Sequence, residues 1–306
     1  MQKVSKQQNT GKEKPDIYVV LGPTATGKSD FAVSIAKEIN GEIISADSRQ
    51  VYRGMDLGSG KITKKEMRGV KHHLLNVASP RSIFSVEKFQ KLGIKAIEKI
   101  QKQGKTPIIC GGTGFYIDSL IYNSKFPSVK PDHELRKILS TWGKDKLFKE
   151  LKKLDSNRAK TIDRNNPQRL IRSIEIAKAL GKVPKPSTPQ MRFKTEIIGL
   201  DFDDEILKER IRIRIEKRLK VGMIKEVENL HKNGVSWKRL EGFGLEYKYI
   251  ALFLEKKISK EEMINNLNGE IFRFVKRQRT WFKRNKEIKW IKNSTNPMGE
   301  INLVFW

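Results

Sequence analysis

The residues whose types and spacing most clearly indicate chemistry are those at positions 22–29, which read GPTATGKS. They match G-x-x-x-x-G-K-[ST], the pattern of a loop that surrounds phosphate groups with its backbone N–H groups. The two glycines allow a tight turn and a close approach to the ligand, while Lys28 adds a full positive charge. The Ser29 hydroxyl is placed to bind Mg²⁺. The segment therefore predicts a site for a diphosphate or a triphosphate, and it leaves open which molecule carries that group.

The flanking residues predict the strand and helix that such a loop requires. An apolar, β-branched run at residues 17–21 predicts a buried strand, and apolar residues at four-residue spacing from Phe31 to Ile39 predict a helix. A second predicted strand, at residues 42–45, is followed by Asp47. Because ligands of open α/β sheets bind outside the carboxyl ends of the strands, we predict that Asp47 lies near the loop. The alternative is that Asp47 only caps a turn.

A third predicted strand, at residues 107–110, leads into the turn 111–114, and the junction reads CGGT. In a typical P-loop NTPase, an acidic residue at the end of such a strand holds Mg²⁺. The absence of an acidic residue at this junction therefore counts against an ordinary ATPase or helicase.

The 306-residue chain carries 63 basic and 35 acidic residues, which gives a net charge of +28. Such a charge predicts a polyanionic partner or an anionic membrane, and the alternative is a lysine-rich surface that only interacts with solvent. A single cysteine excludes an internal disulfide, and with four histidines it argues against a structural zinc site. No apolar run reaches the roughly 18 residues of a membrane span, and residues 1–15 predict a disordered basic tail without a signal-peptide core. We therefore expect a cytoplasmic protein that does not contact a membrane.

Together these patterns predict an α/β fold with a P-loop NTPase-like parallel sheet as its core and helices on both faces of the sheet. The core would comprise residues 16–124 and 194–306, including helices at its C-terminal end. Prolines bracket a helical and very basic segment at residues 125–193, which we interpret as an inserted all-helical subdomain.

One helix of the insertion has clear start and stop signals. Asn166 followed by a proline predicts its first turn, and Gly181 predicts its end. Gln168 and Arg172 are four residues apart and share one face of this helix. Leu170 points elsewhere, toward a core.

The C-terminal part of the chain combines arginines with helical periodicity. Apolar residues fall every four positions from Leu207 to Met223. Their length and a preceding N-cap favour a helix over the strand that a short alternating run would also fit. Arg210 and Arg214 share a face of this helix. A capping box at Ser259 begins another long helix, whose basic faces suit nucleic acid and solvent equally well.

The ordered motifs of the chain resemble those of the tRNA dimethylallyltransferases over residues 16–290, nearly the whole length. The resemblance is carried by GPTATGKS (22–29), ISADSRQVYRGMD (44–56), HHLL (72–75), GGTGFY (111–116), NPQRLIR (166–172) and KRQRTWF (276–282). Three places depart from the family. LGSGKI at 57–62 replaces the usual IGTAKP, GLEY at 244–247 replaces GY(K/R)(E/Q), and Asn76 replaces an aspartate.

The resemblance implies transfer of a dimethylallyl group from dimethylallyl diphosphate to N6 of the adenosine at tRNA position 37, which lies 3′ of the anticodon. Pyrophosphate would be released. The P-loop would bind the diphosphate of the donor in place of ATP, with Mg²⁺ as the cofactor. The insertion would help to hold the anticodon stem-loop of the tRNA, and we expect the enzyme to be a monomer.

The resemblance also implies roles for individual residues. Asp47 would accept the proton of the attacking amine, Lys28, Arg214 and Thr113 would complete the catalytic set, and Ser29 would bind the metal ion. The diphosphate site would consist of Gly22, Pro23, Thr24, Ala25, Thr26, Gly27, Lys28, Ser29 and Arg210. The tRNA-binding residues would be Asp47, Ser48, Arg49, Gln50, Thr113, Arg136, Gln168, Arg169, Leu170, Ile171, Arg172, Lys276 and Arg277.

Two other functions are consistent with parts of the sequence. A P-loop kinase of nucleosides or small metabolites would turn over ATP, but this function would not explain the net charge of +28. A non-catalytic RNA-binding module, or an RNA-dependent ATPase, would bind tRNA without transferring anything to N6. An assay with tRNA and labelled dimethylallyl diphosphate separates all three functions.

Overall fold

The computed structural model describes residues 14–185 and 189–300. The tail predicted for residues 1–15 lies outside the described residues except for Lys14 and Pro15. Within the described ranges, no helix combines the length and the apolar character that are needed to cross a bilayer.

In the part of the chain that the structure describes, a parallel sheet of six strands has the order β3-β2-β4-β1-β5-β6. The strands are β1 (Ile17–Leu21), β2 (Gly41–Ser45), β3 (His72–His73), β4 (Thr106–Gly111), β5 (Thr195–Asp201) and β6 (Lys289–Lys292). Parallel sheets are covered on both faces, so their strands read as continuous apolar runs. β1 follows this rule, since all of its residues are buried.

Helices cover both faces of this sheet, as the sequence predicts. In chain order, the helices of both units in the described residues are α1 (Lys28–Glu38), α2 (Lys64–Met67), α3 (Val86–Lys102), α4 (Gly114–Ile121), α5 (His133–Ser140), α6 (Lys144–Leu154), α7 (Ser156–Thr161), α8 (Pro167–Leu180), α9 (Asp204–Lys220), α10 (Met223–Lys232), α11 (Trp237–Phe243), α12 (Leu245–Leu254) and α13 (Lys260–Phe282). Val20 faces one apolar cluster together with Phe31 of α1. Its neighbour Val19 faces the larger cluster on the other side, which contains Ile97 of α3 and Ile271 of α13.

The helix starts follow the capping signals of the sequence. The Ser85 and Asn166 side chains accept hydrogen bonds from backbone N–H groups of the first turns of α3 and α8. Ser259 forms both arms of the predicted capping box at the start of α13. The helix predicted from Leu207 to Met223 ends earlier than expected, because α9 stops at Lys220, before Gly222, whose φ is 105°.

The chain forms two compact units. One contains the described residues up to Asn123 and from Gln190 onward, and it includes the whole sheet. The other is Ser124–Pro189, whose described elements are the helices α5–α8. This second unit has an apolar core of its own, formed by residues such as Leu147, Leu151 and Ile174.

Candidate active site

A cavity of about 670 Å³ lies in the first unit, and the segments that follow β1, β2 and β4 line it. These three strands are neighbours in the sheet, so their carboxyl ends meet at one edge. The lining includes Lys28 and Ser29 of the P-loop, Asp47 after β2 and Thr113 after β4. The structure therefore brings these predicted residues together around one cavity.

The P-loop has the backbone conformation that its glycines permit. Gly22 has a φ of 152°, and a Cβ at this position would lie 2.3 Å from the Leu200 carbonyl oxygen, so only glycine fits. The Thr26 hydroxyl donates a hydrogen bond to the Pro23 carbonyl oxygen at 3.0 Å. Lys28 Nζ donates to the same oxygen at 3.1 Å, and burial lowers the pKa of Lys28. The loop thus holds its lysine at the cavity.

Helix α9 brings both predicted arginines to the P-loop. Arg214 Nη2 donates to the Thr24 hydroxyl at 2.7 Å, and Arg210 Nη1 donates to the Ala25 carbonyl oxygen at 3.4 Å. Burial, with a smaller contribution from the neighbouring Arg218, lowers the pKa of Arg214 to about 10. Arg214 Nε is buried and has no hydrogen-bond partner among the described residues. The site therefore holds a cation with unused donor capacity beside the phosphate loop.

Asp47 caps a turn and lines the cavity at the same time. Its Oδ1 atom accepts hydrogen bonds from the backbone N–H groups of Arg49 at 2.8 Å and Gln50 at 3.3 Å. Oδ2 accepts no hydrogen bond from the described residues, which leaves one carboxylate oxygen for a ligand in the cavity. The Thr113 hydroxyl accepts from the Ser48 N–H at 3.1 Å and so ties the turn after β4 to the segment that follows β2.

Sequence reasoning missed Gln278, which supports the P-loop from α13. Its Oε1 atom accepts from the Thr24 N–H at 2.9 Å, and its Nε2 atom donates to the Gly112 carbonyl oxygen at 2.8 Å. The side chain is buried. A signal was present, because Gln278 interrupts the buried apolar stripe of α13 between Val275 and Phe282.

Sequence reasoning also missed Glu226 of α10, which organises the segment after β2. Its carboxylate accepts hydrogen bonds from three consecutive backbone N–H groups, those of Asp56, Leu57 and Gly58, at 2.7–3.0 Å. The Tyr247 hydroxyl donates to the same carboxylate at 2.9 Å. This arrangement fixes the first part of the segment 57–62, where the sequence departs from the tRNA dimethylallyltransferase motif.

Four of the predicted tRNA-binding residues of the first unit are placed as follows. Arg49 Nε donates to the Phe243 carbonyl oxygen at 2.8 Å, and Gln50 Nε2 donates to the Gly60 carbonyl oxygen at 3.2 Å. These two side chains therefore hold neighbouring backbone. Lys276 and Arg277 are exposed on α13, where they are open to solvent or to a polyanion.

In the second unit, two predicted tRNA-binding arginines share a buried carboxylate. Arg136 Nε and Nη2 donate to the two carboxylate oxygens of Glu175 at 2.8 and 2.7 Å, and Arg172 Nη1 donates to the same group. Burial acts to raise the pKa of Glu175, but the hydrogen bonds from both arginines hold it below its ordinary value. Gln168 and Arg169 are exposed on α8.

Two predicted tRNA contacts are wrong. Leu170 is fully buried and Ile171 is 6 % exposed, and both belong to the apolar core of the second unit. Their side chains stabilise the fold of this unit and are not available to RNA. The motif that suggested them combines exposed and buried residues because a helix turns one side chain in three or four toward the core.

The residues around Ser29 offer few protein ligands for a metal ion. Among the described residues, no group of three or more histidine, cysteine, aspartate or glutamate side chains is arranged to hold one. Ser29 lines the cavity together with Asp30 and Asp47. Mg²⁺ takes only one or two protein ligands where substrate phosphates and water supply the others, so this donor set fits Mg²⁺ that arrives with a diphosphate.

Comparisons with known proteins give a consistent result. The family model described as IPP transferase matches residues 50–285. The chain is 45% identical to tRNA dimethylallyltransferase 2 of Treponema denticola, with 91% of this chain and 96% of the relative covered. It is 40% identical to tRNA dimethylallyltransferase of Clostridioides difficile, with 91% and 92% covered.

Solved structures are similar in fold as well. The tRNA isopentenylpyrophosphate transferase of Bacillus halodurans matches with a TM-score of 0.70 and 34% identity, and 94% of this chain and 95% of that chain are covered. A eukaryotic dimethylallyltransferase acting on tRNA matches with a TM-score of 0.77 at 23% identity, with 94% and 76% covered. At this identity, the similarity to the eukaryotic enzyme shows a shared fold and nothing more. On the family match and the sequence identities, the chain belongs to the IPP transferase family of tRNA dimethylallyltransferases.

Proposed function

We propose that this chain transfers the dimethylallyl group of dimethylallyl diphosphate to N6 of adenosine 37, 3′ of the anticodon in tRNA, and releases pyrophosphate. The observation that carries the proposal is the cavity in which a P-loop lysine and the free carboxylate oxygen of Asp47 are both exposed to a ligand. Its volume of about 670 Å³ lies within the usual range of small-molecule sites. Membership of the family supports the identity of donor and acceptor.

At the donor end, the P-loop N–H groups, Lys28 and Arg214 bind the diphosphate. Negative charge builds on the leaving pyrophosphate as its bond to C1 breaks, and fixed donors stabilise that charge without reorganising. The unused Nε donor of Arg214 supports this role. Ser29 would hold Mg²⁺, which supplies further neutralisation of the diphosphate when bound.

At the acceptor end, Asp47 Oδ2 accepts a hydrogen bond from the N6 amine. The bond between N6 and C1 forms, the bond between C1 and the diphosphate oxygen breaks, and one proton moves from N6 to Asp47. A positioned general base contributes about 10²- to 10⁴-fold to such a step. Thr113 acts by holding the Ser48 N–H, and thereby the turn that orients Asp47.

The tRNA partner is supported by the net charge of +28 and by exposed polar and basic side chains in each unit. These are Gln168 and Arg169 on α8, and Lys276 and Arg277 on α13. Arg136 and Arg172 are about one third exposed, and Glu175 holds them in fixed orientations that suit phosphate groups. Flipping a base out of a loop costs less than flipping it out of a duplex. We further propose that the enzyme acts as a monomer in the cytoplasm.

The experiment mixes the purified chain with a tRNA transcript, labelled dimethylallyl diphosphate and Mg²⁺. We expect label in the tRNA and isopentenyladenosine in its nuclease digest, with no product from a matched transcript that carries guanosine at position 37. A chelator of Mg²⁺ should slow the transfer. Rapid ATP hydrolysis without any prenylated tRNA would instead favour the kinase or ATPase alternatives.

A further inference from the structure

Arg218 of helix α9 has no role in the proposed mechanism. Arg218 lies four residues after Arg214 and eight after Arg210, so the three side chains leave the same face of the helix. Arg210 and Arg214 contact the P-loop at Ala25 and Thr24. Arg218 lies one turn further, about 6 Å along the helix axis, and lines the same cavity.

The surroundings of Arg218 hold its guanidinium group at the cavity but leave its hydrogen bonds incomplete. Its Nη1 atom donates to Glu246 Oε1 at 3.5 Å, its sole hydrogen bond to a described residue. A Cβ at Gly60 would lie 2.0 Å from Arg218 Nη2, so this glycine makes room for the side chain. A guanidinium group has five N–H donors, and one long contact leaves most of them free for a ligand.

The charges around the cavity favour an anion. Six basic side chains line it against five carboxylates; the basic ones are Lys28, Arg49, Arg214, Arg218, Lys248 and Arg277, and the acidic ones are Asp30, Asp47, Glu66, Glu246 and Glu270. The Arg218 and Glu246 side chains are only 16 % and 10 % exposed. A buried ion pair contributes little to stability, because the loss of hydration offsets the attraction. Fold stability alone is therefore a weak explanation for this pair.

The position of Glu246 is unusual as well. It occupies the place at which the tRNA dimethylallyltransferase motif has lysine or arginine, so the acidic side chain is a feature of this chain. Burial raises the pKa of Glu246 above its ordinary value, although Arg218 and Arg214 act to lower it. The Glu246 carboxylate accepts a hydrogen bond from Arg218, and a carboxylate does not itself bind phosphate.

We propose that Arg218 is a further diphosphate-binding residue of this cavity, and that Glu246 holds its guanidinium group toward the cavity until the anion arrives. The diphosphate of the allylic donor, or the released pyrophosphate, accepts two parallel N–H bonds from Arg218, the arrangement that the planar fork of arginine favours. The identity of the donor rests on the proposed function. The binding of a diphosphate anion by Arg218 does not depend on the proposed function.

The experiment titrates inorganic pyrophosphate, with Mg²⁺ present, into the purified chain and its variants by calorimetry. The decisive variant is the double substitution Arg218→Met with Glu246→Gln, because Arg218→Met alone leaves a buried charge without a partner and endangers folding. We expect the double variant to bind pyrophosphate about 10- to 100-fold more weakly. Arg212→Met, on the exposed opposite side of α9, should bind it like the wild type.

Kinetic and binding data complete the test. In the double variant, KM for dimethylallyl diphosphate should rise while the Kd of tRNA stays unchanged. A folded double variant that binds pyrophosphate within threefold of the wild type overturns the inference and leaves the pair a structural one. If the wild type transfers no prenyl group but its pyrophosphate binding depends on Arg218, the proposed function fails and this inference stands.

Discussion

At the scale of single residues, the two carboxylate oxygens of Asp47 have different surroundings. Oδ1 caps the turn, while Oδ2 accepts no hydrogen bond from the described residues beside the cavity that Asp47 lines, so the role of general base stays a prediction next to that of a turn cap. A capped carboxylate has a fixed orientation, and a fixed orientation is what a general base needs.

Gln278 offers a prediction at the same scale. Replacing it by leucine leaves the Thr24 N–H and the Gly112 carbonyl oxygen unpaired in a buried place. We expect Gln278→Leu to lower the free energy of unfolding by about 1–3 kcal/mol and to weaken pyrophosphate binding. Denaturant unfolding and calorimetry measure the two effects, with Gln101→Leu on the exposed side of α3 as the control. A variant that is as stable as this control and binds pyrophosphate normally would contradict the support role.

At the scale of elements, helices α5 and α8 together bring a buried carboxylate of α8 into contact with two partly exposed arginines, one on each helix. The bonds from Arg136 and Arg172 lower the pKa of Glu175 from its ordinary 4.5. A lowered carboxyl pKa contributes stability that is complete above the unfolded pKa and is lost as the pH falls through the folded one. The contribution of Glu175 should therefore be complete at neutral pH and decline as the pH falls from about 4.5 toward the lowered folded pKa.

The substitution Glu175→Gln tests this contribution. We expect the variant to be less stable than the wild type by about 1–3 kcal/mol at pH 7, because it loses hydrogen bonds between charged groups. The difference should shrink as the pH falls below 4.5. Thermal unfolding of both proteins between pH 3 and 7 measures it, and a difference that is constant over this range would contradict the assignment.

The elements differ in how well the sequence predicts them. The strand–loop–helix at the P-loop and the capped starts of α3, α8 and α13 follow from periodicity and capping. Helix α9 follows from periodicity, whereas its predicted N-cap Asp203 makes no side-chain cap hydrogen bond. Strands β3 and β6 do not, because they are short and polar and owe their conformation to pairing with β2 and β5. The contacts of Gln278 and Glu246 could not be predicted from the sequence either, because their hydrogen-bond partners lie far away along the chain.

At the scale of the whole molecule, the net charge of +28 predicts binding to tRNA that depends strongly on salt. If roughly six phosphates are neutralised, affinity should fall by about 10³-fold between 50 and 200 mM salt, because bound counterions are released. Filter binding or fluorescence anisotropy over this range measures the slope. An affinity that does not change with salt would mean that the lysines serve only to hydrate the surface.

The central claim is that one cavity joins a diphosphate loop to a general base, and single-turnover prenyl transfer by Asp47→Asn tests it most directly. Asparagine keeps the shape and the turn, but it does not take up a proton at neutral pH. With saturating tRNA and dimethylallyl diphosphate, the rate should fall by about 10²-fold or more, while Glu98→Gln on the exposed side of α3 transfers normally. A rate for folded Asp47→Asn within threefold of the wild type would contradict the account.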